Sequence, residues 1–279
     1  MFIIAEVGCN HQGSLDKAIE MIKVASEHCG VDAVKFQKRN PKECLTKEQY
    51  KAPHPVPENS YGKTYGEHRK MLEFDIFQHA ILKQECLRRD VAYGCSIWDL
   101  TSLEEMISVE PDYIKFPSAW NTNEEALRKA FENFNKVHIS LGMTTLEEED
   151  AINELLQRNK WESRAVIYAC TSGYPVDFHD LCLREISRLN NKFMLSEIGF
   201  SGHHLGIAAD IAAMTLGAKY IERHFTLDRT LKGTDHSASL EPDGLRKLVR
   251  DVHNVEKALT YKPSLLEVEQ VQRRKLKRC

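Results

Sequence analysis

The sequence predicts an α/β fold made of a single (β/α)8 TIM barrel, and three observations support that class. Apolar segments of strand length alternate with amphipathic segments of helix length along the 279 residues, and the pair occurs eight times. Alternating strands and helices form a parallel sheet, and eight such units close into a barrel of about 250 residues. No GxGxxG sequence follows the first strand, which argues against an open doubly wound sheet.

The elements follow one another in a regular order. Their apolar residues predict strands at 2–6, 33–37, 91–96, 113–118, 137–142, 165–171, 194–201 and 220–225. Amphipathic patterns predict helices near 15–29, 75–90, 101–109, 124–133, 146–158, 180–190, 205–216 and 241–259. Ser14 is the expected N-cap of the first helix and Thr145 that of the fifth, because acidic residues follow each of them.

Two segments depart from this alternation of strands and helices. Residues 38–74 are polar and rich in Pro, Lys and Tyr, and we interpret them as one long loop after the second strand. Loops longer than about 12–15 residues are uncommon in compact domains and are often functional lids. We expect the barrel to occupy residues 1–260, and residues 261–279 to form a polar, basic C-terminal tail or the remnant of a linker.

Composition excludes several classes of protein. The formal net charge is −3 and no basic stripe crosses the body of the chain, so we expect no nucleic-acid partner. No run approaches 18 apolar residues, so we expect no membrane span. The N-terminus has no basic segment typical of an export signal, and the eight cysteines form no CxxC pair. We therefore expect a cytoplasmic protein with reduced thiols.

Polar side chains stand where the predicted strands end. In a barrel these ends meet on one face, which carries the active site. The candidates are Glu6, Lys35, Gln37, Lys115, Ser118, Ser140, Ser172, Tyr174, Ser201, His203, His224 and Asp235. Lysines at the ends of apolar strands need an anionic partner, so Lys35 and Lys115 favour a phosphorylated, carboxylated substrate. The alternative is an ion pair at the barrel mouth with Glu6 or Asp235.

His203 and His224 follow the seventh and eighth strands. Neutral imidazoles that converge on one cleft are common ligands of a divalent metal, and two ligands leave positions open for substrate. The alternative is a pair of hydrogen-bonded histidines without metal. We interpret Glu222, inside the eighth strand, as a structural partner of Lys or Arg, and Cys170, near the barrel mouth, as core packing.

Eight short motifs carry a resemblance to a known family. In chain order they are IIAEVGCNHQGS, DAVKFQ, IKFPS, ISLGMTT, ACTSGYP, GFSGHHLG, GAKYIERHFT and GTDHSASLEPD. Each motif alone is a weak signal, but in this order they cover residues 1–260 and resemble the N-terminal barrel of the sialic acid (N-acetylneuraminate) synthase family. That family condenses phosphoenolpyruvate with an N-acyl hexosamine to make nonulosonic acids. The resemblance implies a phosphoenolpyruvate-dependent transferase that needs Mn²⁺ or Mg²⁺.

The resemblance also implies a role for each candidate. Glu6 would be the acid/base group beside the sugar aldehyde, and His203 and His224 would bind the metal. Phosphoenolpyruvate would be held by Lys35, Lys115, Ser118, Ser140 and Ser201, and the amino sugar by Gln37, Tyr174 and Asp235. Ser172 stands where some members have Asn, which bears on which sugar fits.

Members of the family normally continue into a small antifreeze-like domain. In a homodimer, that domain supplies an arginine to the sugar pocket of the partner. The sequence ends near the point where this domain would begin, so we expect a separate antifreeze-like protein, a different sugar or weak use of the sugar. Two alternative functions stay open: a keto-deoxy sugar acid synthase acting on another or a phosphorylated sugar, and a non-catalytic barrel that partners a separate lid protein.

Overall fold

Eight parallel strands close into a barrel in the order in which they occur along the chain. The computed structural model describes residues 1–278. The strands are β1 Phe2–Gly8, β2 Ala33–Lys38, β3 Ala92–Ile97, β4 Tyr113–Phe116, β5 Val137–Ser140, β6 Ala165–Cys170, β7 Glu197–Gly202 and β8 Tyr220–His224. Strand β8 pairs with β1, which closes the sheet. The predicted eight-stranded barrel is confirmed.

Helices follow every strand and cover the outside of the barrel. They are α1 Leu15–Lys23, α2 Pro41–Cys44, α3 Lys47–Lys51, α4 Tyr65–Met71, α5 Ile76–Leu87, α6 Leu100–Val109, α7 Glu124–Asn133, α8 Leu146–Asn159, α9 Glu185–Lys192, α10 Ala208–Thr215, α11 Pro242–Ala258 and α12 Glu267–Leu276. Ser14 and Thr145 are the N-caps of α1 and α8, as predicted. No helix among residues 1–278 is long and apolar enough to cross a membrane.

The segment predicted as a loop at 38–74 is the largest error of the sequence analysis. It contains α2, α3 and α4, which are only four, five and seven residues long. Thr46 and Thr64 start α3 and α4 as capping boxes with Gln49 and Glu67. Helices of one or two turns are too short to show an apolar period, and side-chain caps rather than an apolar face define their ends.

Several predicted boundaries are also displaced by a few residues, and two of them have a clear local cause. Strand β7 begins at Glu197 instead of 194, because Phe193 to Ser196 close a turn in which the Ser196 N–H donates to the Phe193 carbonyl at 2.9 Å. Helix α9 begins at Glu185 instead of 180, because Cys182 adopts a left-handed φ of 48° that no α-helix tolerates. The predicted boundary between the barrel and the C-terminal tail at residue 260 stays a prediction.

The barrel interior is filled by alternate residues of the strands. Ile4, Tyr113, Val166 and Tyr168 form its lower layers. Glycine makes room for the rings: a Cβ at Gly94 would lie 2.1 Å from the Tyr113 ring. The opposite faces of the strands pack against the helices in a larger apolar core. The floor beneath the strand ends is therefore dry and aromatic.

A fully buried ion pair ties β8 to α10 on the outer side of the barrel. The Arg223 guanidinium donates to the Asp210 carboxylate and to the backbone carbonyl of His204. His204 lies 3.3 Å from Asp210, and all three side chains are excluded from solvent. His204 thus has the structural place expected for it, behind the strands and not in the barrel mouth.

We expect Asp210→Asn to lower the free energy of unfolding by about 3–5 kcal/mol, because the change leaves Arg223 buried without a counter-charge. The matched control is Glu104→Gln, which removes the same charge from a solvent-exposed pair with Lys129 and should cost about 1 kcal/mol or less. Urea titrations of the two variants measure both values. Equal losses would show that burial does not set the strength of the Arg223 pair.

A buried histidine predicts sensitivity to acid. Burial lowers the pKa of His79 to about 3, and its Nδ1 is hydrogen-bonded to the Tyr93 hydroxyl at 2.5 Å. The unfolded chain binds this proton near pH 6.5, so the contribution of His79 to stability is complete above that pH and is lost as the pH falls toward 3.

Between pH 7.5 and pH 5.0 the wild type should therefore lose about 2 kcal/mol through His79 alone. His79→Gln should lose less over this range by that amount, whereas His179→Gln, at an exposed site, should match the wild type. Urea titrations at the two pH values measure the difference. An identical acid loss in wild type and His79→Gln would contradict the assignment.

Candidate active site

The register of the strands brings the predicted residues to the carboxyl end of the barrel. Glu6 pairs with Lys35 on one side and with His224 on the other. An inner cavity of about 310 Å³ opens there, and eleven of the twelve predicted residues line it. Asp235, the twelfth, lines an outer cavity of about 380 Å³, which shares Gln37, Trp98, Tyr174 and His224 with the inner one.

Four buried charges form the floor of the inner cavity. The Lys35 ammonium lies 2.6 Å from the Glu6 carboxylate and 3.5 Å from that of Glu222. Lys115 lies 2.7 Å from the same Glu222 oxygen. Lys35 also donates to the Ser96 hydroxyl at 2.6 Å, and Gln37 donates to Glu6 at 2.6 Å. The contacts therefore run from Glu6 to Lys35, from Lys35 to Glu222 and from Glu222 to Lys115, so that carboxylates and ammonium groups alternate.

Their pKa values shift in different directions. Burial raises the pKa of Glu6, and the Lys35 charge only partly offsets this effect. Burial would also raise the pKa of Glu222, but the ammonium groups of Lys115 and Lys35 together lower it below its ordinary value. Burial lowers the pKa of Lys115. Burial thus favours the protonated form of Glu6, whereas the two ammonium groups favour the ionised form of Glu222.

The two histidines stand side by side at the rim. Their ring centres are 5.6 Å apart, and the Tyr174 ring lies 4.2 Å from that of His203. His203 Nδ1 lies 3.1 Å from the Thr171 carbonyl oxygen, an arrangement that orients the ring so that Nε2 is the atom that would bind a metal. His224 Nδ1 is buried without a partner among residues 1–278. This donor set fits a divalent cation.

Cys170 has a different place from the one predicted. It was interpreted as core packing, but its thiol lines the inner cavity beside His203. Burial would raise its pKa, but the hydrogen bond and charge of His203 lower it to about 7. By contrast, Cys95 is fully buried, and burial holds its thiol pKa above the ordinary value.

Hydroxyl groups complete the wall opposite the charges. Ser118 donates to Ser140 at 3.1 Å, and Asn121 holds the loop after β5 by donating to the Ser140 carbonyl at 2.7 Å. Ser201 lies 3.5 Å from Glu222. Ser172 and Tyr174 come from the loop after β6. The cavity therefore offers ammonium groups and hydroxyl donors within one enclosed space.

Among residues 1–278, one group of three close metal-ligating side chains occurs outside this cavity. It consists of Asp177, His179 and Asp180, and all three are exposed on the loop before α9. Exposed acidic groups of this kind are common without an ion. It was not predicted from the sequence, and it shares no residue with the inner cavity.

The comparisons with known proteins agree with this geometry. The model of the NeuB family matches residues 21–263. The chain belongs to the NeuB family. This NeuB-family chain is 39% identical over 258 residues to the N-acetylneuraminate-9-phosphate synthase of Homo sapiens, covering 92% of this chain and 71% of that protein. It is 34% identical to the N,N'-diacetyllegionaminic acid synthase of Campylobacter jejuni, covering 92% and 77%.

A solved structure gives the same result. The N-acetylneuraminic acid synthetase of Leptospira borgpetersenii, solved in complex with citrate, superposes on this NeuB-family chain with a TM-score of 0.82. The two are 29% identical, and the match covers 99% of this chain and 92% of that one. The resemblance to sialic acid synthases inferred from the motifs is confirmed.

The sequence predicted the ion pair of Glu222 but not its place in the active site. It was interpreted as a partner of Lys or Arg, and it does pair with Lys115. That lysine, however, faces the inner cavity, so Glu222 belongs to the site. The signal was available: Glu222 precedes His224 by two residues, and alternate residues of a strand share a face. Arg39, on the outer cavity, was not identified as a site residue, and Arg69 was predicted only as part of the possible lid at 38–74.

Proposed function

We propose that this protein is a synthase that condenses phosphoenolpyruvate with an N-acyl hexosamine to give a nonulosonic acid, with release of phosphate. The observation that carries the proposal is the inner cavity, where two buried lysines, three serine hydroxyls and two histidines surround a carboxyl group with a raised pKa. The names of the NeuB-family relatives support the product class. They differ in whether the product carries a phosphate.

Phosphoenolpyruvate suits the charges of the inner cavity. It carries a carboxylate and a phosphate, and Lys35 and Lys115 provide one ammonium group for each. Ser118, Ser140 and Ser201 provide hydroxyl donors on the adjoining strands. Because Glu222 holds both ammonium groups near one carboxylate oxygen, an entering anion meets two positioned charges and does not have to order flexible side chains.

The sugar aldehyde would lie at the rim, between Glu6 and the histidines. As carbon 3 of phosphoenolpyruvate attacks the aldehyde carbon, Glu6 would give a proton to the aldehyde oxygen. Water then adds to carbon 2 and returns one proton to Glu6. As the bond between carbon 2 and the phosphate oxygen breaks, the second proton leaves with phosphate and a ketone remains at carbon 2. Gln37, Tyr174 and Asp235 would contact the rest of the sugar, and Ser172 would limit its shape.

We propose that His203 and His224 hold one divalent cation, Mn²⁺ or Mg²⁺. When bound, such a cation supplies Lewis acidity to the aldehyde oxygen. The hydrogen bond from His203 Nδ1 to Thr171 and the unpartnered Nδ1 of His224 support this assignment. A homodimer and a separate antifreeze-like protein remain predictions, as does a cytoplasmic location.

The proposal predicts a specific kinetic defect in Lys115→Met. With N-acetylmannosamine, phosphoenolpyruvate and Mn²⁺, the wild type should release one phosphate for each nonulosonic acid formed. Lys115→Met should raise the KM for phosphoenolpyruvate by about 30-fold or more, since a truncated buried charge pair costs about 2–5 kcal/mol, and should change the KM for the sugar much less. Coupled phosphate release and mass spectrometry of the product measure both.

The control is Lys136→Met, which removes the same charge from a pair with Glu197 at the other end of the barrel. It should leave both KM values within about threefold of the wild type. No phosphate release with any hexosamine would favour a non-catalytic barrel. Turnover only with aldoses that lack an N-acyl group would favour a keto-deoxy sugar acid synthase.

The metal assignment is tested by binding alone. Calorimetric titration with Mn²⁺ should give one site in the wild type, and His203→Ala or His224→Ala should weaken it by more than about 100-fold, because each change removes one of two ligands. His179→Ala is the control, because His179 belongs to the exposed group with Asp177 and Asp180. If His179→Ala weakens Mn²⁺ binding and the other two changes do not, the metal site lies on the surface loop instead.

A further inference from the structure

Arg39 is a buried arginine that the proposed chemistry does not use. It directly follows β2 and continues the alternation of inward side chains that includes Lys35 and Gln37. Only 5% of the residue is exposed. Lys35 lines the inner cavity, Gln37 lines both cavities, and Arg39 lines the outer one. Arg39 is therefore the next side chain outward from Gln37 on the same face of the sheet.

Three side chains besides Gln37 hold Arg39 in place. Its guanidinium lies 4.5 Å from the centre of the Trp98 ring, and its Nε lies 3.5 Å from the Glu73 carboxylate. The same carboxylate accepts a hydrogen bond from the Arg39 backbone N–H at 2.9 Å. Nη1 lies 3.6 Å from the Cys9 sulfur. The guanidinium is therefore fixed in position, and Glu73 balances its charge.

The remaining nitrogen of Arg39 determines which way the Gln37 amide points. Nη2 donates to the Gln37 side-chain oxygen, and the Gln37 NH₂ group donates to Glu6 at 2.6 Å. If the amide were turned over, its NH₂ group would face the guanidinium, which has donors only. Its oxygen would then face the Glu6 carboxylate, which has acceptors only. Arg39 and ionised Glu6 therefore favour the same orientation of the Gln37 amide.

Glu6 alone would not hold this orientation throughout the proposed reaction. A carboxylate only accepts hydrogen bonds, but a protonated carboxyl group can also donate one to an amide oxygen. In the proposed function, Glu6 gives a proton to the aldehyde oxygen, so it passes through both forms. Arg39 stays protonated and remains a donor throughout. It therefore holds the amide oxygen away from Glu6 before the proton is transferred as well as afterwards.

We propose that Arg39 is a positioning residue that fixes the Gln37 amide with its NH₂ group toward Glu6 in both protonation states of that carboxyl group. The inference rests on the proposed function, because that function assigns the proton transfer to Glu6. When the proton moves to the aldehyde oxygen, the carboxylate left behind meets a donor that is already in place. Such preorganised donors stabilise a charge that develops in the transition state. The proposal needs no contact between Arg39 and either substrate.

Steady-state kinetics with N-acetylmannosamine, phosphoenolpyruvate and Mn²⁺ test this role. Arg39→Met should lower kcat by about 10-fold or more, the effect of one charge-assisted hydrogen bond, and should leave both KM values within about threefold of the wild type. Arg39→Lys should recover part of kcat because it keeps a charged donor. The matched control is Arg89→Met, which removes a half-buried arginine from its pair with Glu85 of α5 and should leave kcat unchanged.

A double-mutant cycle distinguishes positioning from a general loss of structure. Gln37→Leu removes the amide through which Arg39 acts, so adding Arg39→Met to it should lower kcat by no more than about a further threefold. If the two losses multiply, Arg39 does not act through Gln37 and the proposal is wrong. A raised KM for the sugar with an unchanged kcat would make Arg39 a sugar-binding residue instead. Urea titrations identify any unfolded variant, and Arg39→Lys replaces Arg39→Met in the cycle if the latter does not fold.

The amide can also be observed without turnover, which separates this inference from the proposed function. In ¹⁵N NMR spectra of the metal-free protein, the Gln37 NH₂ signal is the one that Gln37→Leu removes. It should be protected from exchange with solvent in the wild type and should lose that protection in Arg39→Met. If no sugar turns over, the proposed function fails, and the signal still shows whether Arg39 fixes the amide. Equal protection in the wild type and Arg39→Met would overturn the role of Arg39 and leave the synthase unaffected.

Discussion

The alternation of Lys35 and Lys115 with Glu6 and Glu222 is the interaction on which the rest of this site depends. All four side chains are almost fully buried, and burial of an unpaired charge costs several kcal/mol. A replacement by apolar side chains of similar volume would often be neutral or stabilising. A buried network of this kind is therefore poor evidence for stability and better evidence for a ligand that needs its charges.

The barrel supplies the geometry of this network through strand register. Glu6 and Lys35 are paired residues of β1 and β2, and Ser201 and Glu222 are paired residues of β7 and β8. The Tyr168 ring lies beneath these residues, and its centre is 4.2 Å from the Lys115 ammonium. An aromatic floor excludes water from below, so the charges act on one another and on a ligand in a medium of low polarity. Burial at the same level of the barrel raises the pKa of Glu6.

The sequence alone was sufficient for the features that repeat along it. Eight alternations of strand and helix predicted the barrel, and strand ends such as Lys35 and His203 predicted the mouth, because both depend on local patterns. Features that depend on contacts between distant segments were not predictable in this way. Cys170 meets His203 only in the folded barrel, and Arg69 reaches the outer cavity only because α4 folds back over the mouth. The short helices at 41–71 lacked the length to show a period.

The two cavities are lined by different parts of the backbone. All four charged side chains on the floor of the inner cavity come from strands, whose register fixes the position of each charge. The outer cavity shares some of these strand ends and adds side chains from α4, the loop at Asn59 and the loop at Asp235. Substitutions in loops and short helices disturb the barrel core less than substitutions in strands. In the proposed function, the reacting atoms would lie against strands, and the end of the sugar remote from the aldehyde would lie against loops and a short helix that can change more freely.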